Sequence, residues 1–600
     1  MFPSSIRSLL RARVVGMVYG LAIWLIPFGL EIPSAAQTQE QTAAPSSQNP
    51  ASPAVVSLPP AGTAAVPNPL GEALSFYHKG DFPAAVGKYQ EVLRMNPKSP
   101  DAYAGLARAY LRQRNVSRAL EEANRGLSLN DAPRIRVALG EIYFRQGKIH
   151  EAEHEWVQAI NSGDPEARAF LGLSRVRNAL SLYQQGKAMI DRAHDLDSSD
   201  PEITRAWMRT LPRSDRIRYL EKHLAEPNSD DPETRAETQV YLDRLKALAS
   251  EPGKHCHLVG TVSSTETDLV RLLMDPEHIR GYGLAVNING RKSNLMLDTG
   301  AGGILVDRRI AEKAGIDRML NTKVGGIGDK GNKSGYVGLA NSIKIGDLEF
   351  QDCPVEVLEK RSVVGEEGLI GANVFGDFLV DLDFPKEKLR LSQLPRRPDD
   401  PATPAGLHTE GGSSGLSDDD PGSDGGSSSA DSDKGTDSAA GKLLATSPLF
   451  RDGYIAPEMK SYTRVYRFGH MVLVPTAVGD VPGRLFLMDT GALENHITPA
   501  AAREVTKVHG DNDTTVEGLS GRVKNVYSAD KAVLQFGHLR QENQDLLTFN
   551  LDSISDDVGT EISGTLGFVL LHLLDLKIDY RDNLVDFNYE DPTKRFNKKK

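Results

Sequence analysis

The sequence has little cysteine, which limits the crosslinks and metal centres that the chain can form. The 600 residues contain only Cys256 and Cys353. In an exported protein these two residues can form a disulfide that ties the N-terminal extension to the segment around Cys353, and the alternative is two unpaired thiols. His255 and His257 flank Cys256, but one such cluster without a partner cluster is only a weak sign of a metal site.

Positive charge is also scarce. Lys and Arg number 70 against 81 Asp and Glu, so the formal net charge is −11. Nucleic-acid binding relies on Lys and Arg that neutralise phosphates, and the balance therefore argues against nucleic acid as a partner. Part of the negative charge lies in residues 396–445, which are rich in Gly, Ser and Asp and poor in apolar residues. This segment is predicted to be a disordered linker, because it cannot bury a core.

Long hydrophobic runs are missing after the N-terminus. Three arginines precede the apolar run Val14–Leu30, and Ser34-Ala35-Ala36 supplies small residues for cleavage. Residues 1–36 are therefore predicted to be a signal peptide, and the folded part to be exported, periplasmic or extracellular. The alternative is an uncleaved anchor with the protein facing outward, and only this alternative predicts contact with a membrane. The final residues, 593–600, are read as a basic tail.

A helical repeat follows a spacer, residues 37–67, that is rich in Ala, Pro, Ser and Gln and predicted to be disordered. Ala85, Ala119 and Ala152 recur at intervals of 34 and 33 residues. This pattern resembles the tetratricopeptide repeat. Three repeats are predicted up to residue 164, with a degenerate fourth near 167–201 that acts as a cap. The solenoid is assigned to residues 68–200 and a helical connector to residues 201–254.

The tetrapeptide Asp-Thr-Gly-Ala occurs twice, each time after an apolar run. The copies are Asp298-Thr299-Gly300-Ala301 and Asp489-Thr490-Gly491-Ala492. A glycine-rich segment follows each copy, with Gly326 lying 28 residues after the first aspartate and Gly518 lying 29 after the second. Farther on come Leu369-Ile370-Gly371 and Thr565-Leu566-Gly567, in which Thr565 departs from an otherwise apolar pattern. The matched spacing indicates a duplicated domain.

These motifs resemble the retropepsin-like aspartic proteases, over residues 281–393 and 462–588. The resemblance implies two all-β lobes, assigned to residues 255–395 and 446–592, after an all-α tetratricopeptide solenoid. It also implies that each lobe supplies one catalytic aspartate, Asp298 and Asp489. The implied supporting residues are Thr299, Gly300, Thr490 and Gly491, and the implied substrate-binding flaps carry Gly326, Ile327, Gly328, Gly518, Leu519 and Ser520.

The implied chemistry explains the residue types. Two neighbouring carboxyls share one proton, so that the ionised member activates a water and the protonated member donates to the peptide carbonyl. This pairing is the standard example of a coupled carboxyl dyad. The reaction requires no metal and no organic cofactor, and its substrate is a peptide or protein. We therefore expect an exported aspartic endopeptidase.

Two alternatives remain open at this point. In the first, the lobes are catalytically inactive and bind peptides within a scaffold organised by the repeats. In the second, each lobe pairs with its twin in another chain. The solenoid itself either holds a protein partner on its concave face or serves as a rigid spacer or platform. Because each lobe is predicted to have its own core, deleting residues 68–249 is predicted to leave cleavage of short peptides unchanged.

Two further motifs are interpreted structurally. His150-Glu-Ala-Glu-His154 matches a zinc-protease pattern, but Ala152 and Trp156 occupy packing positions of the third repeat, which already explain the helix. Gly326-Ile-Gly-Asp-Lys-Gly331 matches a dinucleotide-binding pattern, which requires a strand before the loop and a helix after it. Strand-like sequence follows instead, so a flap hairpin is predicted. No metal site is assigned.

Overall fold

The computed structural model describes residues 23–24, 68–163, 165–226, 232–249, 256–260, 262–360, 366–398 and 452–589. Outside these ranges lie the spacer, the tail, the signal peptide except residues 23–24, and the linker except its first three residues. Among the described residues, none of the helices combines the length and the apolar character needed to cross a membrane.

The described part of residues 68–249 is helical. Asn68, Asp81, Ser99 and Asn115 each cap a helix by accepting a hydrogen bond from a backbone N–H in its first turn. The helices are Pro69–His78, Phe82–Met95, Pro100–Arg112, Val116–Leu129, Pro133–Arg145, Ile149–Ile160, Ala167–Ala179, Tyr183–Leu196, Pro201–Met208, Arg213–Ala225 and Pro232–Ala249.

The repeat-forming residues make the solenoid core. Ala85, Ala119 and Ala152 are fully buried. Trp156 fills the space beside two glycines, since a Cβ atom on Gly140 or Gly172 would lie 2.4 or 2.3 Å from its ring. These two glycines are therefore required by close packing of the third and fourth repeats.

The fourth repeat is a complete helix pair, Ala167–Ala179 and Tyr183–Leu196, and not a terminal cap. Leu171 and Ile190 of this pair share a buried cluster with Ile203 in the helix that follows. The stack therefore continues beyond the fourth repeat, because that repeat has apolar residues on both of its faces.

Lobe 1 is built on a mostly antiparallel sheet. Residues 23–24 pair with the flap strand Leu320–Gly325 at one edge of this sheet. A short helix, Arg308–Lys313, and two 3-10 turns, Ala372–Phe375 and Phe384–Lys386, complete the lobe. Its strands are His257–Leu258, Ser264–Asp268, Val270–Leu273, Ile279–Ile288, Arg291–Asp298, Ile304–Asp307, Leu320–Gly325, Lys333–Ile345, Leu348–Leu358, Gly368–Gly371, Phe378–Asp383 and Lys388–Gln393.

Lobe 2 repeats this arrangement with shorter elements. Its helices are Pro499–Arg503, Asp552–Val558 and Phe568–Leu571, and a 3-10 turn spans Pro457–Met459. Its strands are Thr463–Arg464, Tyr466–Phe468, Met471–Val478, Val481–Met488, His496–Ile497, Val508–Gly510, Glu517–Gly518, Gly521–Arg522, Tyr527–Phe536, Leu539–Thr548, Gly564–Leu566, Asp575–Asp579 and Leu584–Asn588.

The two lobes of one chain are joined by a shared six-stranded sheet. Strand Phe378–Asp383 of lobe 1 pairs antiparallel with strand Asp575–Asp579 of lobe 2, with Val380 opposite Ile578. Both of these side chains are buried in the common core. The pairing therefore holds the lobes face to face within a single chain.

Cys256 and Cys353 form a disulfide across 97 residues of sequence. The strand His257–Leu258 pairs with the strand that contains Cys353. The crosslink thus attaches the segment between the solenoid and lobe 1 to the lobe, and the disulfide sulfur of Cys256 is not available as a thiolate ligand for a metal.

Besides the core that it shares with lobe 1, lobe 2 shares a second hydrophobic cluster with the solenoid, so its packing is not independent of the repeats as the sequence predicted. Val137, Phe144 and Val176, from the first helices of the third and fourth repeats, lie in one cluster with Tyr466 and other residues of lobe 2. The rings of Phe144 and Phe468 meet edge to face with centroids 6.2 Å apart. Lobe 2 therefore covers this apolar face of the solenoid.

Polar contacts at the helix turns complete the junction. Thr560 Oγ1 donates to the Phe144 carbonyl at 2.6 Å, and the Glu561 N–H donates to the Arg145 carbonyl at 2.9 Å. Asn583 Nδ2 donates to the Ala179 carbonyl at 2.9 Å. Because these donors and acceptors are backbone groups or buried side chains, the turns are held in one orientation relative to lobe 2.

Candidate active site

The two predicted aspartates occupy equivalent places in the two lobes. Asp298 ends strand Arg291–Asp298, and Gly371 lies opposite it on a parallel strand. Asp489 directly follows strand Val481–Met488, whose parallel neighbour is Gly564–Leu566. In both lobes the apolar-apolar-glycine motif therefore supports the strand that delivers the aspartate, as the matched spacing predicts.

The carboxyl groups face each other across the junction of the lobes. A Cβ atom on Gly300 would lie 2.7 Å from Cγ of Asp489, and one on Gly491 would lie 2.4 Å from Oδ2 of Asp298. Both aspartates have no exposed surface. Glycine is required after each threonine because the carboxyl group of the other lobe fills the space of a side chain.

The threonines bind the two loops to each other. The Thr299 N–H donates to Thr490 Oγ1 at 3.0 Å, and the Thr490 N–H donates to Thr299 Oγ1 at 3.0 Å. Each hydroxyl in turn donates across the junction, Thr299 to the Met488 carbonyl at 2.8 Å and Thr490 to the Leu297 carbonyl at 2.9 Å. These four bonds fix the separation and orientation of the aspartates.

In each carboxyl group, Oδ1 accepts hydrogen bonds from backbone N–H groups and Oδ2 does not. The Gly300 N–H donates to Asp298 Oδ1 at 2.8 Å, and the Gly491 and Ala492 N–H groups donate to Asp489 Oδ1 at 2.9 and 3.0 Å. Oδ2 of each aspartate is buried and receives no hydrogen bond from an N–H or hydroxyl group of the described residues. The Oδ2 atoms are therefore left to bind a proton, a water or a substrate.

Burial and mutual repulsion raise the pKa of the pair. The pKa of Asp298 lies well above its ordinary value, first because the group is buried and second because of the charge on Asp489. Burial is also the main cause of the raised pKa of Asp489. Two carboxyls in this environment hold one proton over a range of pH in which an exposed aspartate is ionised.

We expect Asp489→Asn to stabilise the protein at pH 8 and not at pH 4. When the pKa of a carboxyl is higher in the folded state than in the unfolded state, the group stabilises the fold at pH values below its unfolded-state pKa. This stabilisation is lost as the pH rises through the folded-state pKa. The amide removes the cost of ionising the buried pair, so the variant should melt roughly 2–4 °C higher at pH 8. Thermal melts from pH 4 to pH 8 measure this, and a gain that does not depend on pH would contradict the coupling.

The flaps are closed over the dyad and linked at their tips. The Gly326 N–H donates to Ser520 Oγ at 3.1 Å, the Ser520 N–H donates to the Ile327 carbonyl at 3.0 Å, and the Lys330 N–H donates to the Ser520 carbonyl at 2.8 Å. A Cβ atom on Gly328 would lie 2.2 Å from the Gly521 carbonyl oxygen. Gly328 has φ +130, a conformation that favours glycine.

The flap tips also exchange apolar side chains between the lobes. Leu519 of lobe 2 joins a buried cluster of lobe 1 that includes Met296, Leu305 and Leu369. Ile327 of lobe 1 lies in the cluster shared by lobe 2 and the solenoid. Since these contacts cover the dyad completely, the flaps must separate before a polypeptide can reach it.

A buried polar pair distinguishes lobe 2 from lobe 1. Leu305 lies opposite Leu369 in lobe 1, and His496 lies opposite Thr565 in lobe 2. His496 Nε2 is 3.0 Å from the Phe549 carbonyl and Nδ1 is 2.6 Å from Thr565 Oγ1. Because a carbonyl only accepts, Nε2 carries the proton and Nδ1 accepts from the threonine.

Burial lowers the pKa of His496 to about 4, so the ring is neutral above mildly acidic pH. The sequence contained one signal for this pair, the polar Thr565 in an otherwise apolar motif. The histidine was missed because no local pattern links it to a residue 69 positions away.

The two motifs that resemble zinc and dinucleotide sites have structural roles. His150 and His154 are exposed on helix Ile149–Ile160, whose Ala152 and Trp156 are buried. Gly326–Gly331 joins two antiparallel strands, Leu320–Gly325 and Lys333–Ile345, and is therefore part of a flap hairpin. Within the described residues, no group of three metal-binding side chains occurs.

Comparison with protein-family models identifies two segments. Residues 284–374, in lobe 1, match the aspartyl protease family, and residues 70–130 match the tetratricopeptide repeat. Both matches lie in the regions where the motifs predicted these folds. They confirm the combination of an aspartyl protease region with tetratricopeptide repeats in one chain.

Curated relatives match part of the chain. The chain is 26% identical over 230 residues to DNA damage-inducible protein 1 of Chaetomium globosum, covering 38% of this chain and 45% of that protein. It is 32% identical over 114 residues to UBA domain-containing protein Mud1 of Schizosaccharomyces pombe, covering 18% and 33%. The chain thus spans less than half the length of these relatives.

Solved structures with partial similarity include members of both classes. A retropepsin-like aspartic protease from Rickettsia conorii is 20% identical, with 22% of this chain and 94% of that chain covered and a TM-score of 0.17. A thermophilic tetratricopeptide protein of Thermus thermophilus is 22% identical, with 30% and 97% covered and a TM-score of 0.25. From the two family matches, the chain contains an aspartyl protease domain together with tetratricopeptide repeats.

Proposed function

We propose that this protein is an exported aspartic endopeptidase in which Asp298 and Asp489 of one chain form the catalytic pair. The observation that supports this most strongly is the pair of facing, buried carboxyls, each placed against the glycine of the other lobe. In this proposal, a water bound between the two Oδ2 atoms loses a proton to the ionised carboxyl and attacks the peptide carbonyl. The protonated carboxyl donates to the carbonyl oxygen.

The surrounding residues hold this pair in place. Thr299 and Thr490 prevent the two carboxyls from moving apart, and the N–H groups of Gly300 and Gly491 orient each one. The proposed role of the closed flaps is to exclude water and grip the substrate backbone, which strengthens electrostatic interactions at the reacting atoms.

Export is part of the proposal. It is supported by the basic and apolar pattern of residues 1–36 and by the disulfide between Cys256 and Cys353. Structural disulfides persist mainly in oxidising compartments such as the periplasm and the extracellular space. The periplasm or the cell exterior is therefore the proposed location.

The proposed role of the solenoid is to recruit a protein partner or substrate through its first two repeats. Tetratricopeptide repeats present extended concave surfaces for binding. In the third and fourth repeats, Val137, Phe144 and Val176 lie in a buried cluster shared with lobe 2. The first two repeats form a separate cluster with the first helix of the third, and this cluster contains no residue of the lobes, which favours the first two repeats as the recruiting surface.

Digestion of a complex peptide mixture tests the activity directly. We expect the purified protein to produce new termini within peptides, since a flap-covered cleft binds the chain on both sides of the cut. Mass spectrometry of the products identifies these termini, and the Asp298→Asn variant serves as the control. Trimming only from peptide ends, or equal products from the control, would contradict the proposal.

A further inference from the structure

A cluster of cations surrounds the flap tips of this otherwise acidic protein. Lobe 1 supplies Lys330, Lys333 and Lys360, and lobe 2 supplies Arg522 and Lys524; these five residues are called the basic rim. Lys333 is half-buried and the other four are exposed. The rim therefore contrasts with the formal net charge of −11 for the whole chain.

The rim spans the contact between the two flaps. A Cβ atom on Gly521 would lie 2.7 Å from Cδ of Lys330, so this side chain of the first flap lies over the second. On the other side, the Asp329 N–H donates to the Arg522 carbonyl at 3.3 Å. A molecule bound to the rim would thus contact both flaps at the place where they must separate.

The five positive charges of the rim outnumber the two acids named beside it, Asp329 and Glu517. Within the described ranges, none of the four rim lysines forms an ion pair, and Arg522 donates to Thr515 Oγ1 at 3.1 Å. The carboxylate of Asp329 accepts the Lys524 backbone N–H at 2.7 Å. Glu359 pairs with Arg318 and Arg308 instead, and Glu517 lies opposite Arg522 in the flap hairpin.

The lysines of lobe 1 repel one another. The pKa of Lys333 is lowered, first by partial burial and then by the charges of Lys360 and Lys330. A lysine with an acidic neighbour shifts in the opposite direction. The electrostatic environment therefore favours an anionic ligand that would relieve this repulsion.

We infer that the basic rim binds acidic segments of polypeptide substrates and directs them to the cleft. The inference rests on the proposed function for the identity of the ligand, since a polypeptide on its way to the dyad must pass between the flaps. Clusters of one sign of charge raise the local concentration of oppositely charged ligands and speed their association. An acidic stretch beside the cleavage site is the feature that this surface would recognise.

Peptide binding tests the inference separately from catalysis. The full-length Asp298→Asn variant is titrated against two fluorescent peptides of equal length, one with glutamates and the other with glutamines beside the same central sequence. We expect the Glu peptide to bind about tenfold more tightly at low salt, and this advantage to fall toward unity at about 0.5 M salt, where exposed charges are screened.

Matched charge reversals locate the effect. Lys333→Glu combined with Lys360→Glu should weaken binding of the Glu peptide by about fivefold and leave the Gln peptide nearly unchanged. Lys292→Glu combined with Lys313→Glu is the control, because both are exposed lysines of lobe 1 outside the flaps and the change in net charge is the same. This control should retain the preference for the Glu peptide.

Three outcomes would overturn the inference. They are equal binding of the two peptides, equal loss in the rim and control variants, and rim-dependent binding to vesicles containing phosphatidylglycerol without any peptide preference. A preserved Glu preference in a wild-type protein that cuts neither peptide would count against the proposed endopeptidase activity and not against the rim.

Discussion

Asp298→Asn and Asp489→Asn are each expected to lower kcat/KM for a fluorogenic peptide by at least about three orders of magnitude. An amide can neither accept the proton of the attacking water nor share a proton with the remaining carboxyl. The fold should be retained, because an asparagine oxygen can still accept the N–H bonds that now reach Oδ1 of each aspartate. Peptide kinetics and circular dichroism measure the two effects.

Asp307→Asn is the matched control for this loss. Asp307 is 1% exposed in lobe 1, and its Oδ1 accepts the Ile310 N–H at 2.8 Å to cap a helix. Asparagine also caps helices well, so we expect activity within about twofold of the wild type. A similar loss in this control would show that any buried Asp→Asn change impairs the fold.

Mixing the two inactive variants tests whether one chain is sufficient. The structure places both aspartates and the six-stranded inter-lobe sheet in a single chain. Under that arrangement neither variant can supply an intact pair, and the mixture should stay inactive. Recovered activity would show that lobes pair between chains.

Deleting residues 68–249 is expected to abolish cleavage even of short peptides, the opposite of the prediction made from sequence. The deletion would remove the solenoid side chains from the buried cluster that also contains Tyr466, Met471 and Leu473 of lobe 2. Uncovering one large apolar side chain costs about 1.5–3 kcal/mol, whereas whole domains are stable by only about 5–15 kcal/mol. Lobe 2 should therefore be unfolded or loosely packed in the truncated protein.

Two point variants distinguish the effect of losing the contact with lobe 2 from the effect of destabilising the solenoid in general. Phe144→Ala removes the ring that meets Phe468, and Tyr110→Ala removes a buried ring of the second repeat. Each should lower solenoid stability, but only Phe144→Ala should also reduce kcat/KM and increase proteolysis of lobe 2. A truncated protein that folds and cleaves short peptides at the wild-type rate would refute this structural dependence.

The sequence by itself determined the local elements and the identity of the candidate site. Asp298 and Asp489 were found because their motif depends on short-range geometry, in which a turn residue, a hydroxyl and a glycine must follow the aspartate in fixed order. Ala85, Ala119 and Ala152 revealed the helical repeat because close helix packing admits only small residues at a regular interval.

Only the tertiary structure decided what covers each apolar surface. Phe144 belongs to a helix of the third repeat, yet its ring packs against Phe468 of lobe 2. Likewise, Leu519 fits a flap tip, yet it fills a pocket of the other lobe. Hydrophobic burial is not directional, so an apolar pattern shows that a side chain will be buried without naming the surface that buries it. That choice depends on contacts between residues far apart in the chain.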